Sequence, residues 1–293
     1  MLSKNVQTFM ACDHEYGESR IVLFGAPFDS TTSFRPGTRF ASQAMRADSY
    51  GLETYSPYQD LDLDDARVFD GGDLDLCFGD TQKSLAMIQS FAADILRDGK
   101  LPFMIGGEHL VSLGTVRAAA QKYPELHIVH FDAHTDLREE YLGTPLSHAS
   151  VLRRIWDIVG DGRIYQFGIR SGERVEFEWA KQHTHLHKFD LQTVGETLAG
   201  LRGKPVYFTI DLDVLDPSVF PGTGTPEAGG VSIQALREAA TWVGSNLDVV
   251  GCDLVELSPH YDVSGASTAV ALHVWRELLL SLERAFIIKP ENV

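Results

Sequence analysis

Short runs that are apolar without alternation, at residues 21–24, 67–69, 101–105, 126–131, 163–169, 206–210 and 249–255, constrain this chain more than any other feature. A strand with one wet face alternates apolar and polar residues, so continuous runs mark strands covered on both faces. Amphipathic stretches lie between most of them. Residues 81–97 place Leu85, Ile88, Ala92, Ile95 and Leu96 on one side, 232–242 repeat the pattern, and 266–285 follow the last run. Strand, helix, strand, helix along the length predicts an α/β fold with a mainly parallel sheet and helices on both faces. Ligands of such sheets bind beyond the carboxyl ends of the strands, and chemistry is expected there.

With 293 residues and 44% hydrophobic content the chain can bury one large core. Its Gly/Pro-rich stretches, around Arg35-Pro36-Gly37 and at 221–226, are short and lie beside apolar runs, as structured loops do, so one domain over 1–293 is expected. Asp and Glu total 41 against 25 Lys and Arg, a formal charge of −16. That balance repels phosphate backbones and anionic membranes and suits a small cationic ligand. Cys12, Cys77 and Cys252 are odd in number, at unrelated spacings, the usage of a reducing compartment. Residues 1–20 carry scattered charges and no apolar signal core, and no run approaches the roughly 20 apolar residues of a membrane span. The expected address is cytoplasmic.

The polar residues that end the apolar runs are not a random sample. Run 101–105 leads into Gly106-Gly107-Glu108-His109, run 126–131 into Asp132-Ala133-His134-Thr135-Asp136, run 206–210 into Asp211-Leu212-Asp213, and run 249–255 into Glu256. Residues two apart on extended chain point the same way, so Asp132, His134 and Asp136 can share a side, as can Asp211 and Asp213. Gathered at one sheet edge with His109, they put several carboxylates in a small volume, where they cannot all stay ionised without cations between them. Two divalent ions balance the charge. Carboxylates and imidazoles without thiolate favour manganese over zinc, and bridging carboxylates would set two ions roughly 3.5–4 Å apart with a hydroxide between them as nucleophile.

These segments, with Asp211-Leu212-Asp213-Val214-Leu215-Asp216-Pro217, resemble the signatures of the ureohydrolase family of arginases, agmatinases and relatives. The resemblance runs from Gly25, Pro27 and Asp29 and from Arg35 to Arg39 through Val255-Glu256-Leu257-Ser258-Pro259, nearly the whole chain. It implies a three-layer α/β/α sandwich, a homotrimer or homohexamer, and two Mn(2+) per chain. By the same resemblance His109, Asp132, Asp136 and Asp211 hold one ion and His134, Asp132, Asp211 and Asp213 the other. His148 shuttles protons and Glu256 grips the guanidinium; with Asp136 they form the expected catalytic set, and Thr225, in the loop after Asp216-Pro217, joins Glu256 and His148 as a substrate contact.

Two departures matter. Glu108 stands where many relatives have Asp before the first metal histidine. Arginases hold the amino-acid end of arginine with an Asn and a Ser-Gly-Asn run, where this chain has Arg138 and Pro145-Leu146-Ser147-His148; Leu-Ser-His is similar to agmatinases. Agmatine hydrolysis to putrescine and urea is therefore the expected reaction. Guanidinobutyrate, aminopropylagmatine, formiminoglutamate and arginine are alternative substrates, a one-metal amide deacetylase is an alternative enzyme, and a guanidine-binding sensor is the non-enzymatic alternative. Arg138 favours an acidic tail, while Glu139 and Glu140 favour an amine.

Other motifs read as structure. His130, inside run 126–131, is expected to be a packed core histidine. His183, His185 and His187 lack carboxylate companions and are expected on a surface strand. An EF-hand from Asp60 would need glycine where Asp65 stands and glutamate where Gly71 stands. Gly222 and Gly224 lack the third glycine of a dinucleotide loop.

Overall fold

The computed structural model describes residues 7–287, apart from the side chains of 285 and 286; residues 1–6 and 288–293 of the expected domain lie outside the described residues. Eight strands form one sheet: β1 Ile21–Ala26, β4 Val68–Asp73, β5 Leu101–Gly106, β6 His127–Phe131, β7 Ile164–Ile169, β8 His185–Lys188, β9 Pro205–Asp211 and β10 Asp248–Val255. A small antiparallel ribbon, β2 Tyr55–Ser56 with β3 Leu61–Asp62, stands apart from it. Every neighbouring pair in the large sheet is parallel.

The continuous apolar runs are these buried strands, and their alternation is between two apolar layers. Ile21 and Leu23 face one core and Val22 and Phe24 the other, as Phe103 and Ile105 are opposed to Met104. Helices α2 Thr81–Arg97, α3 Ser112–Lys122, α4 Val151–Val159 and α5 Arg174–His183 contribute to the second core, and α1 Ala41–Asp48, α6 Val194–Leu198, α7 Ile233–Asn246 and α8 Ala266–Ile287 to the first. Capping sets where they start. The Asp80 carboxylate accepts from Lys83 N ahead of α2, and the Ser232 hydroxyl accepts from Ala235 N ahead of α7. The expected sandwich is therefore present, with its sheet parallel throughout.

The strand order, β4-β1-β5-β10-β9-β6-β7-β8, is what places the site. The chain leaves β5 for β6 and later inserts β9 and β10 between them. The four strands that end in carboxylates and histidines thus become consecutive neighbours, in register at their ends: Ile105 pairs with Leu254, Val255 with Asp211, and Ile210 with Phe131. At the far edge, His185 and His187 lie on β8, stacked on Tyr165 and Phe167. His183 instead ends α5 and pairs with Asp161 at 2.6 Å, so the three histidines do not form a common comb.

Candidate metal centre

After β5 the chain turns through Gly106 and Gly107 into a 3-10 turn that begins at His109. Gly107 is required there by space alone, since a Cβ would lie 1.8 Å from the Phe28 carbonyl oxygen. The turn drives His109 into the middle of the sheet end. Its Nδ1 lies 3.1 Å from Asp132 Oδ2, 3.2 Å from Asp136 Oδ2 and 3.3 Å from Asp211 Oδ2. On the other side of Asp132, His134 Nδ1 lies 3.4 Å from Asp132 Oδ1 and 3.0 Å from Asp213 Oδ2. All six residues expected from the sequence are gathered, and Asp132 stands between the two histidines.

Backbone donors fix the carboxylates. Asp132 Oδ1 accepts from His134 N at 2.5 Å, Asp211 Oδ1 from Asp213 N at 2.9 Å, and Asp213 Oδ1 from Ala133 N at 3.2 Å. Asp136 is held in a left-handed backbone, φ 51°, as is Glu256, φ 66°. Such conformations cost non-glycine residues on the order of 1–3 kcal/mol and persist only where the surroundings impose them.

The donor set fits divalent cations. Thr209 Oγ1 donates to Asp253 Oδ1 at 2.6 Å, so its proton is committed and it accepts from His109 Nε2 at 2.9 Å. His109 therefore carries a hydrogen on Nε2, and buried Nδ1, which has no hydrogen-bond partner among the described residues, is the nitrogen turned to three carboxylate oxygens and left to a cation, a proton or a metal ion. Lone pair against oxygen is repulsive until a cation lies between them. Without a cation between them the carboxylates disfavour one another's charge: burial and then Asp132 push Asp136 up to about 7, and burial, Asp213 and Asp132 push Asp211 well above the usual carboxylate range. Burial opposes charge on His109, yet Asp132, Asp136 and Asp211 outweigh it and raise its pKa. Among the described residues, the close-packed groups able to hold a metal are His109, His130 and Asp132, and Asp132, His134 and Asp213.

Above the cluster lies a cavity of about 290 Å³, with Ser33, Arg138, Tyr141, His148, Thr225 and Glu256 among its lining residues. Glu256 directly follows β10; its Oε1 accepts from His109 N at 2.8 Å. Thr225 Oγ1 donates to Asp213 Oδ2 at 3.3 Å, so the loop after Asp216-Pro217 does form a wall. His148 opens a 3-10 turn capped by Ser147; its Nε2 is 3.1 Å from Ser33 Oγ and its N donates to Thr31 Oγ1 at 3.1 Å. Burial holds the His148 pKa down, to about 4, with His134 and His109 adding to the depression against a Thr31 hydrogen bond.

Glu108 is fully buried and anchors the loop at 28–35 rather than the cluster: its carboxylate takes Thr31 N at 2.8 Å, the Thr31 hydroxyl, and the Thr32 hydroxyl at 3.1 Å. Arg138 does line the cavity, but it is paired with Glu173 at 3.2 Å and Glu176 at 3.7 Å and lies 4.3 Å from the Tyr141 ring centre. Glu139 and Glu140 are exposed and line none of it; the lining carboxylates beside Arg138 are Glu173 and Glu176. Sequence reasoning missed Glu173, Glu176, Tyr141 and Ser33. Glu173 and Glu176 alone left a local trace, as the two ends of a capping box at the start of α5.

Fold and site together define an α/β protein with a metal-capable carboxylate and histidine cluster at adjacent strand ends. An arginase family model matches residues 19–281. The chain belongs to the arginase family. It is 48% identical over 277 residues to an agmatinase of Bacillus anthracis, covering 94% of this chain and 96% of that one, and 34% identical over 272 residues to a guanidinobutyrase of Pseudomonas aeruginosa, covering 88% and 85%. The crystal structure of an agmatine ureohydrolase of Thermoplasma volcanium superposes with a TM-score of 0.89 at 31% identity, covering 99% of this chain and 98% of that one.

Proposed function

We propose that this chain is an agmatinase, hydrolysing agmatine to putrescine and urea with two manganese(II) ions. The observation that carries the reading is the convergence of His109, Asp132, His134, Asp136, Asp211 and Asp213 directly beneath Glu256 and His148 in one cavity. His109, Asp132, Asp136 and Asp211 would hold one ion and His134, Asp132, Asp211 and Asp213 the other, an oxygen-rich set that suits manganese. Bound ions supply Lewis-acid charge and let a water lose its proton near neutral pH.

The chain's own residues do the rest. Glu256, with Oε1 committed to His109 N, has its second oxygen for the guanidinium, which it holds flat over the cluster. Gly224 keeps the space beside that oxygen open, since even a Cβ there would lie 3.4 Å from Oε2. His148, neutral at pH 7, takes up at Nε2 the proton that the attacking water gives up and delivers that same proton to the departing amine, with Ser33 Oγ beside it. His148→Ala slows turnover by about 100–1,000-fold and keeps the metal content of the wild type, measured by elemental analysis. Loss of the ions in that variant would refute this division of roles.

The tail preference follows from charge. Arg138 is engaged by Glu173 and Glu176, so among the described residues the cavity offers no uncompensated Arg or Lys to an acidic tail, whereas two carboxylates beside one guanidinium favour a cationic tail. Urea release assayed across agmatine, arginine, guanidinobutyrate and aminopropylagmatine will favour agmatine by at least about 100-fold in kcat/KM. Preference for guanidinobutyrate or arginine would overturn the substrate assignment. We further propose one domain forming a cytoplasmic homotrimer or homohexamer; exposed Phe34, Phe78 and Val263 offer apolar surface for subunit contacts, and light scattering reports the state.

A further inference from the structure

The deepest histidine of the site has no role in the mechanism above. His130 lies on β6 two residues before Asp132, and its Nε2 is 2.7 Å from Asp132 Oδ2. Opposite it in register on β7 sits buried Gln166, whose Nε2 is 3.1 Å from His130 Nδ1. The same amide nitrogen lies 2.9 Å from the Thr135 carbonyl oxygen, and the amide oxygen receives the Thr184 hydroxyl at 3.1 Å. A carbonyl has only lone pairs to offer, so the group facing Thr135 must be the NH2, and the flipped amide is excluded. Gln166 therefore donates to Nδ1. The ring hydrogen is left on Nε2, aimed at Asp132.

A nitrogen that carries hydrogen has no lone pair for a cation, so the proximity of His130 to His109 and Asp132 does not make it a ligand. The sequence expectation of a packed core histidine rather than a ligand agrees with its burial. His130 is buried, but both its nitrogens are engaged, and one of them holds the carboxylate that lies between His109 and His134.

We propose that Thr184, Gln166 and His130 form a positioning relay that fixes the plane of the Asp132 carboxylate and thereby sets the affinity of the site for its second divalent ion. Each Asp132 oxygen has one donor from the chain, His134 N on Oδ1 and His130 Nε2 on Oδ2, and keeps lone pairs for a cation. Remove the His130 donor and the carboxylate turns about its last side-chain bond, so it no longer addresses both histidine sides in one orientation. Loss of such a supporting partner weakens metal affinity by about 10–100-fold. The inference rests on Asp132 being a shared metal ligand.

Calorimetric titration of metal-free protein with manganese(II) tests it on the wild type, His130→Phe, His130→Gln and Gln166→Leu, with Asp132→Asn as reference. His130→Phe weakens one binding step by about 10–100-fold, whereas His130→Gln, whose amide N–H replaces the Nε2–H, stays within about threefold. A purely packing role predicts the reverse order, because phenylalanine fills a buried site and glutamine does not. Wild-type affinity in His130→Phe, or stronger binding there than in His130→Gln, overturns the relay. Thermal melts without metal establish that each variant folds; if His130→Phe does not, Gln166→Leu carries the test, with the same weakening expected and wild-type affinity fatal. A wild type that binds no manganese, or an Asp132→Asn variant that binds it unchanged, would instead refute the ligand assignment itself, and the relay with it.

Discussion

Asp132→Asn will lower urea release from agmatine by at least about 1,000-fold, the equivalent of about 4 kcal/mol of lost barrier reduction, and will leave the protein with at most one ion per chain. The reason is geometric as much as electrostatic. Asp132 Oδ2 faces the His130 Nε2 hydrogen and Oδ1 faces the His134 amide, so the nitrogen of an asparagine meets a donor whichever way it turns. One buried donor pair is left facing each other at a cost of about 1–3 kcal/mol, and the charge that let one side chain serve both histidine sides is gone. Elemental analysis, urea assay and a thermal melt on the same preparation decide it. A folded variant holding two ions with activity within about tenfold of wild type would remove Asp132 from the centre of the mechanism.

Glu256→Gln separates substrate binding from metal binding. The side chain is buried and its Oε1 accepts from His109 N at 2.8 Å, a contact that glutamine's oxygen can keep. Glutamine then places its NH2 at the oxygen meant for the guanidinium, donor against donor, and the charge-assisted hydrogen bond is lost. Hydrogen bonds to charged groups contribute about 1.5–3 kcal/mol, and an unpaired buried donor adds to the deficit, so kcat/KM falls by about 100–1,000-fold. Both ions remain, because Glu256 is not among the ligands, and no backbone strain is added, since Gln takes the same left-handed conformation. Unchanged steady-state kinetics, or loss of metal, would show that Glu256 does something else.

The legible part of this site was local. Asp132, His134 and Asp136, or Asp211 and Asp213, could be read as ligands because each set follows directly on a buried strand and the two-residue repeat of extended chain fixes which side it faces. Glu256 was placed at the site by the same proximity to a strand end, and Thr225 by its loop following Asp216-Pro217. What escaped was how Arg138, Glu108 and His130 are engaged by distant segments. Arg138 read alone is a free cation, and only the docking of α5 puts Glu173 and Glu176 against it. Glu108 read alone borders a metal histidine, yet its carboxylate is spent on Thr31 and Thr32, more than seventy positions earlier. His130 is apolar in pattern and polar in contact, because Gln166 faces it across β6 and β7.

Hydrophobic patterning and backbone periodicity, both properties of a few consecutive residues, were enough to determine the alternating strands and helices, the two covered faces of the sheet and the identity of the candidate ligands. The order β5-β10-β9-β6, which turns four separate strand ends into one site, depends on crossovers that no local pattern encodes. Hydrogen-bond direction depends on it in turn: which nitrogen of His109 or His130 carries the hydrogen is set by Thr209 and Gln166, side chains that become neighbours only once the sheet has formed.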